Sequence, residues 1–207
     1  MGPNIVLDLL RKWAPVRKLD LKVLTLKTLM LILLATGTRL DTISKITLDK
    51  VERKANSFVI DTALINKQSR QGYKDPVLVL KSYPPDRRLC VFLYLTKYLA
   101  RTATVKSPER TLFVTYQKPM HSASKDTLSR WTKLVMKQAG IDTKVFSSHS
   151  VRGATTSAAT QGGANLDEVL MTAGWSNNST FAKFYKRPLL DREKLSMQEA
   201  VLARAKH

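Results

Sequence analysis

The chain has 207 residues, 43% of them apolar and 25% charged, which are the proportions of an ordinary folded domain with one good core. Thirty-five Lys and Arg against sixteen Asp and Glu leave a formal charge of +19 and a pI near 10.2. That balance favours a polyanionic partner, nucleic acid contacted through its phosphates; a ribosome-associated basic protein or a membrane-binding surface is the blander reading. The positive residues are spread along the chain, as on a folded basic surface and unlike a disordered arm. One cysteine, Cys90, excludes an internal disulfide and reads as a small core filler. The longest apolar run, Leu29 to Ala35, is far too short to span a membrane, and no signal peptide is evident. The opening Met1-Gly2-Pro3 looks like the start of a piece cut from a longer protein.

The first predicted element is a mostly buried helix over residues 21–35, stopped by Gly37 just before Arg39. A short second helix follows from Asp41 to Ile46. Val51, the run Phe58 to Ile65 and the run Val77 to Leu80 read as strands of a small antiparallel sheet, with a polar turn from Asn66 to Asp75 between the last two. Pro84-Pro85-Asp86 then predicts a turn and an N-cap for a helix from Arg87 to Arg101, with Cys90, Leu93, Tyr94 and Tyr98 on its apolar face. After a loop and the short apolar stretch Leu112-Phe113-Val114, helices are predicted from Ser124 to Ala139 and from Ser148 to Gly162-Gly163. Asn165-Leu-Asp-Glu168 has the form of a capping box and opens a helix that Gly174 closes. Ser179 or Thr180 caps one more short helix carrying Tyr185, which Pro188 ends. Residues 191–205 are amphipathic, with Leu195, Val201, Leu202 and Ala205 on one face, and predict a final helix. The expected fold is α+β, mainly helical, with a small antiparallel three-stranded sheet.

Chemistry enters through a few side chains in a fixed order: Arg39, then His149 and Arg152, then Trp175, then Tyr185. A side-chain nucleophile attacking a phosphodiester needs fixed donors for the charge that builds on the non-bridging oxygens. Arginine suits that task because its planar fork donates two parallel hydrogen bonds and stays charged. His149 lies three residues before Arg152, so a helix would turn both to one face. The nucleophile must also lose a proton and the departing sugar oxygen must gain one. Taken singly, each residue has a plainer reading: a solvated face for His149 and Arg152, a surface or capping arginine for Arg39, core packing for Trp175 and Tyr185.

Order, spacing and context together resemble the catalytic domain of the tyrosine recombinases, the phage-integrase superfamily. The resemblance rests on Thr36-Gly37-Thr38-Arg39, Lys67 in the polar turn, His149-Ser-Val-Arg152, Gly174-Trp175 and Tyr185, and covers nearly the whole chain. The wording around these residues is closest to recombinases of DIRS-type and Crypton-like mobile elements. Ile65-Asn-Lys67-Gln-Ser-Arg70, Leu89-Cys90, Ser129-Arg130-Trp131, and Ala173-Gly-Trp175 followed by Ser179 to Pro188 carry that likeness.

The resemblance implies a site-specific recombinase or integrase that breaks and rejoins double-stranded DNA through a 3′-phosphotyrosyl link, with neither metal nor cofactor. Arg39 and Arg152 would clamp the scissile phosphate, His149 would assist proton transfer at the tyrosine, and Trp175 would donate its indole N–H to a phosphate oxygen. Lys67 would protonate the leaving 5′-oxygen; Lys74 lies in the same turn, and the Lys-Gln-Ser-Arg context favours Lys67. Many relatives have the tyrosine nine residues after the position of Trp175, which here is Phe184; phenylalanine cannot attack, so Tyr185, at ten, takes the role. Asp41 would either orient Arg39 or simply cap a helix. The resemblance further implies a catalytic domain over residues 1–188, no N-terminal clamp domain, and a tail helix within 189–207 that could be exchanged between subunits assembled as dimers or tetramers on DNA. It also implies no membrane partner and a nuclear location. The competing readings are a DNA-binding relative that has lost catalysis and a topoisomerase that nicks and reseals one strand.

Overall fold

The computed structural model describes residues 3–62, 77–105, 111–174 and 196–203. A leucine-rich helix with no polar face has to be surrounded, and the domain is built around one. Helix α2 (Leu21–Thr36) starts at Asp20, whose carboxylate accepts from the Val23 amide at 2.7 Å, and ends at Gly37 with φ +60°. Every residue from Leu24 to Thr36 is buried. Its threonines satisfy their hydroxyls locally: Thr25, Thr28 and Thr36 donate to the carbonyls four residues earlier at 2.7–2.8 Å. Around α2 pack α4 (Val91–Thr102), α5 (Lys125–Gln138) and α6 (Ser150–Gln161), while α3 (Leu40–Lys45) lies on α5 and α7 (Leu166–Ala173) lies on α6. No helix among the described residues is long and apolar enough to cross a membrane.

The sheet is antiparallel in the order β1 (Val51–Arg53), β2 (Ser57–Asp61), β3 (Val77–Lys81). Its register pairs Val51 with Ile60, Phe58 with Leu80 and Ile60 with Leu78. Period-two alternation then sends Phe58, Ile60, Leu78 and Leu80 into the core, where β3 packs on α2 and α4, and leaves Val77 and Val79 exposed. The expected mainly helical fold with a small three-stranded sheet is the one observed. The predicted continuation of β2 to Ile65, the polar turn and the short helix carrying Tyr185 lie outside the described residues.

One expected helix start is corrected. Asp86 caps not an α-helix but a single 3-10 turn, Arg87–Leu89, accepting from the Arg88 amide at 3.0 Å. Cys90 is then extended (φ −73°, ψ 97°) and its Sγ accepts from the Tyr83 amide at 3.3 Å, so α4 begins one residue later at Val91. The buried stripe becomes Val91, Tyr94, Leu95 and Tyr98, with Leu93 only half-buried. Cys90 itself is buried, as a core filler would be. At α7 the Asn165 side chain accepts from the Asp167 amide at 2.9 Å and Gly174 ends the helix, in line with the predicted boundaries.

Helix α1 (Asn4–Lys12) was not among the predicted elements. It buries Val6, Leu7 and Leu10 and is tied down by two polar contacts. Arg11 donates to Asp86 at 2.9 Å; burial would raise the Asp86 pKa, but hydrogen bonds from Arg88 and Arg11 outweigh it and bring it to about 2. The other contact is Lys27 of α2, fully buried, whose Nζ donates to the carbonyls of Leu10 and Trp13 at 2.5 and 2.6 Å and sits 3.9 Å from the Tyr94 ring centre. A buried amine thus caps the carbonyl end of α1.

Of the predicted tail helix, α8 (Met197–Ala203) is described, and it packs on α2 and α6 of the same chain. Met197, Ala200, Val201 and Leu202 are buried there. The Gln198 amide donates to the Lys81 carbonyl at 2.9 Å and accepts from the Lys81 amide at 3.2 Å, closing part of the free edge of β3.

Burial lowers the Lys27 pKa from 10.5 to about 7, Asp86 opposing and Arg88 assisting. Between those values the unfolded chain holds a proton that the folded chain has shed, so this residue makes stability rise with pH across that window. Urea denaturation at pH 7.5 and 9.5 is expected to show a gain for the wild type that Lys27→Met lacks. Equal gains in both proteins would refute the assignment.

Candidate active site

Two helix ends converge at the site. Gly37 closes α2 and Gly174 closes α7, both in the left-handed region, at φ +60° and +67°. The last carbonyls of a helix have no partner within it, so such an end attracts donors and cations. Gly37 is further confined by close approach: a β-carbon there would stand 2.9 Å from the Met197 methyl and 3.2 Å from Thr156 Cγ2. Only glycine meets both demands.

Arg152 supplies the donors. It lies in the first turn of α6, only 4% exposed, and its Nη1 donates to Gly37 O at 2.7 Å and to Ala173 O. Its Nη2 reaches Gly174 O at 3.4 Å. Arg39, which leads into α3 two residues after Gly37, is exposed and donates its Nη1 to the same Gly174 O at 2.9 Å. The two arginines, 113 positions apart in sequence, therefore meet on one carbonyl oxygen.

His149 stands immediately before α6 with helical backbone angles (φ −69°, ψ −26°), and its carbonyl accepts from the Arg152 amide at 3.1 Å. The serines around it fix the approach: the Ser147 amide donates to Ser150 Oγ at 3.1 Å, and Ser148 Oγ meets Ser129 Oγ of α5 at 2.8 Å. Partial desolvation lowers the imidazole pKa below 6.5, and the positive charges of Arg152 and then Arg39 lower it further. The ring is therefore mainly neutral at pH 7, the form that accepts a proton.

The structure thus brings Arg39, His149 and Arg152 together. Lys67, Lys74, Trp175 and Tyr185 lie outside the described residues. Asp41 neither caps α3 nor turns to Arg39; its carboxylate pairs with Lys45 one turn on, at 2.6 Å on an exposed face. Sequence reasoning missed the carbonyls of Gly37, Ala173 and Gly174, since main-chain acceptors leave no mark in a side-chain pattern. The two glycines were readable as helix stops, which was the available signal. Among the described residues no three His, Cys, Asp or Glu side chains are grouped to hold a metal ion.

With that geometry in place, the comparisons with known proteins give one answer. The chain belongs to the phage integrase family, whose profile matches residues 16–190. Among solved structures it is similar to the XerH site-specific recombinase bound to difH substrate in a pre-cleavage complex, with TM-score 0.65 and 14% identity over 88% of this chain and 49% of that one. It is similar also to XerH on a palindromic difH substrate after cleavage (TM-score 0.63, 14% identity, 86% and 47% covered) and to the XerA recombinase (TM-score 0.60, 16% identity, 88% and 58% covered). The chain spans roughly half the length of these proteins, and at such identity the likeness is one of fold. No curated protein matches.

A proton NMR titration without DNA is expected to place the His149 midpoint below 6.5. Arg152→Gln removes a neighbouring positive charge and should raise that midpoint. An unchanged or lower value would show that the guanidinium does not act on the ring.

Proposed function

We propose that this chain is the catalytic part of a site-specific DNA recombinase or integrase of a mobile element. It cuts and rejoins duplex DNA through a 3′-phosphotyrosyl intermediate on Tyr185. The observation that carries this reading is the meeting of Arg39 and Arg152 on one carbonyl, with His149 beside them, its pKa lowered by burial and by their charges. A guanidinium has five N–H donors, more than Arg39 gives to Gly174, so the pair is suited to a phosphate between them.

In the proposed reaction the Tyr185 hydroxyl attacks phosphorus and its proton passes toward His149. The bond to the 5′-oxygen breaks, and Lys67 gives that oxygen a proton. Arg39, Arg152 and the Trp175 indole N–H carry the charge gained by the non-bridging oxygens. Attack by a 5′-hydroxyl on the phosphotyrosine reverses the step and releases the tyrosine. The phosphate stays in ester linkage throughout, so the reaction needs no nucleotide hydrolysis.

The charge of +19 supports duplex DNA as the partner. Self-association on that DNA, exchange of the tail helix between subunits, a nuclear location and kinship with DIRS-type or Crypton-like elements belong to the same proposal. The sequence wording from Lys67 to Arg70 and from Ser179 to Pro188 supports the kinship.

A nicked duplex that loses its short 5′-strand after cleavage should trap a covalent protein–DNA band with the wild type. Tyr185→Phe should give none, and a persisting band would sink the assignment. Arg39→Ala should slow trapping about a hundredfold or more, roughly 3 kcal/mol of barrier, with a smaller effect on binding. Lys67→Ala should be rescued when the leaving 5′-oxygen is replaced by sulfur, which departs without a proton; rescue of Lys74→Ala instead would move the acid to that residue.

A further inference from the structure

Gly174 O is the acceptor that Arg39 and Arg152 share, at 2.9 and 3.4 Å. Two guanidinia brought close repel each other, and an exposed arginine such as Arg39 has many rotamers to choose from. A carbonyl at the negative end of α7 answers both problems, because it lies against both cations and gives each a fixed direction. Its aim depends on the backbone. Gly174 takes φ +67° and ψ 47°, a conformation that turns its carbonyl out of the α7 ladder and that side chains with a branched β-carbon strongly resist.

We propose that Gly174 is a positioning residue: through its main-chain carbonyl it sets the spacing and orientation of the two arginines that receive the phosphate. The inference rests on the recombinase reading of the site for its consequence, and on the hydrogen bonds themselves for its geometry. The neighbouring Ala173 O and Gly37 O hold Arg152 alone, so they fix one arm of the clamp. Among the described residues, Gly174 O is the acceptor that binds both arms. A shift of the peptide after position 174 would therefore move the arginines relative to each other without removing either charge.

Two substitutions separate this role from general destabilisation. Gly174→Val resists the left-handed conformation, whereas Gly174→Asn adds a side chain that tolerates it. Nitrogen–proton NMR of the arginine side chains, assigned with Arg39→Lys and Arg152→Lys, reads the geometry without DNA. The Arg39 resonance should move to a solvent-like position in Gly174→Val and the Arg152 resonance, still held by Gly37 O and Ala173 O, should shift by less; both should stay near wild type in Gly174→Asn. Single-turnover trapping on saturating nicked DNA should fall about a hundredfold in Gly174→Val, as for loss of a transition-state donor, while the DNA Kd stays within about threefold. Gly174→Asn should recover most of that rate. Gly174→Ala, a smaller step, is read the same way should the valine chain not fold. The proposal is overturned if the arginine resonances ignore Gly174→Val, if Asn falls as far as Val, or if Kd worsens in step with the rate. A wild type that never traps DNA, with resonances responding as described, would sink the strand-transfer reading and leave the positioning role supported.

Discussion

The guanidinium of Arg152 is buried where the carbonyl ends of α2 and α7 converge, and the rest of the site depends on that contact. Burying a lone cation is expensive, and here the cost is offset by acceptors that would otherwise be orphaned themselves. The exchange works only if three helices are placed together: α6 to bring the charge, α2 and α7 to bring the carbonyls. One side chain therefore enforces the relative placement of three elements far apart in sequence. Because Gly37 is one of its acceptors, the contact also fixes the direction in which the chain leaves α2, and hence where Arg39 begins α3.

Arg39, Arg152 and His149 lie close together, and the hydrogen bonds described for the two guanidinium groups all go to main-chain carbonyls. Carbonyl dipoles orient both cations, whose positive field reaches the imidazole. The same field suppresses protonation of His149. The neighbouring arginines thus favour the neutral form of the imidazole.

Much of this was legible in the sequence, for identifiable reasons. The unbroken apolar run before Thr36-Gly37 was readable as a buried helix, and the apolar runs Phe58 to Ile60 and Val77 to Leu80 as strands, while the face each turns inward was not readable because every residue in them is apolar. His149 and Arg152 were readable as neighbours because helical spacing is local. Their meeting with Arg39 came from family resemblance, since nothing local links positions so far apart. Helix α1 escaped notice although Val6, Leu7 and Leu10 have helical spacing and Arg11-Lys12 suit a C-terminal turn. Its fixation by Lys27 and Asp86 is long-range and leaves no periodic trace. The late start of α4 turned on competition for Asp86: a side chain engaged with Arg11 and Arg88 stabilises a tight turn, and a helix cap is only one of its options. Asp41 teaches the same lesson, since Lys45 one turn on pairs with the carboxylate although Arg39 stands only two residues before it.

The glutamine on α8 has a consequence of another kind. Lys81 turns its amide and carbonyl away from β2, and Gln198 meets both, so one side chain stands in for a short length of missing strand. Edge strands with bare donors and acceptors recruit whatever backbone they meet. Lifting α8 away would therefore bare that edge as well as the apolar faces of α2 and α6 that it covers. One short helix thus protects two unlike surfaces of its own chain, a strand edge and the apolar faces of two helices.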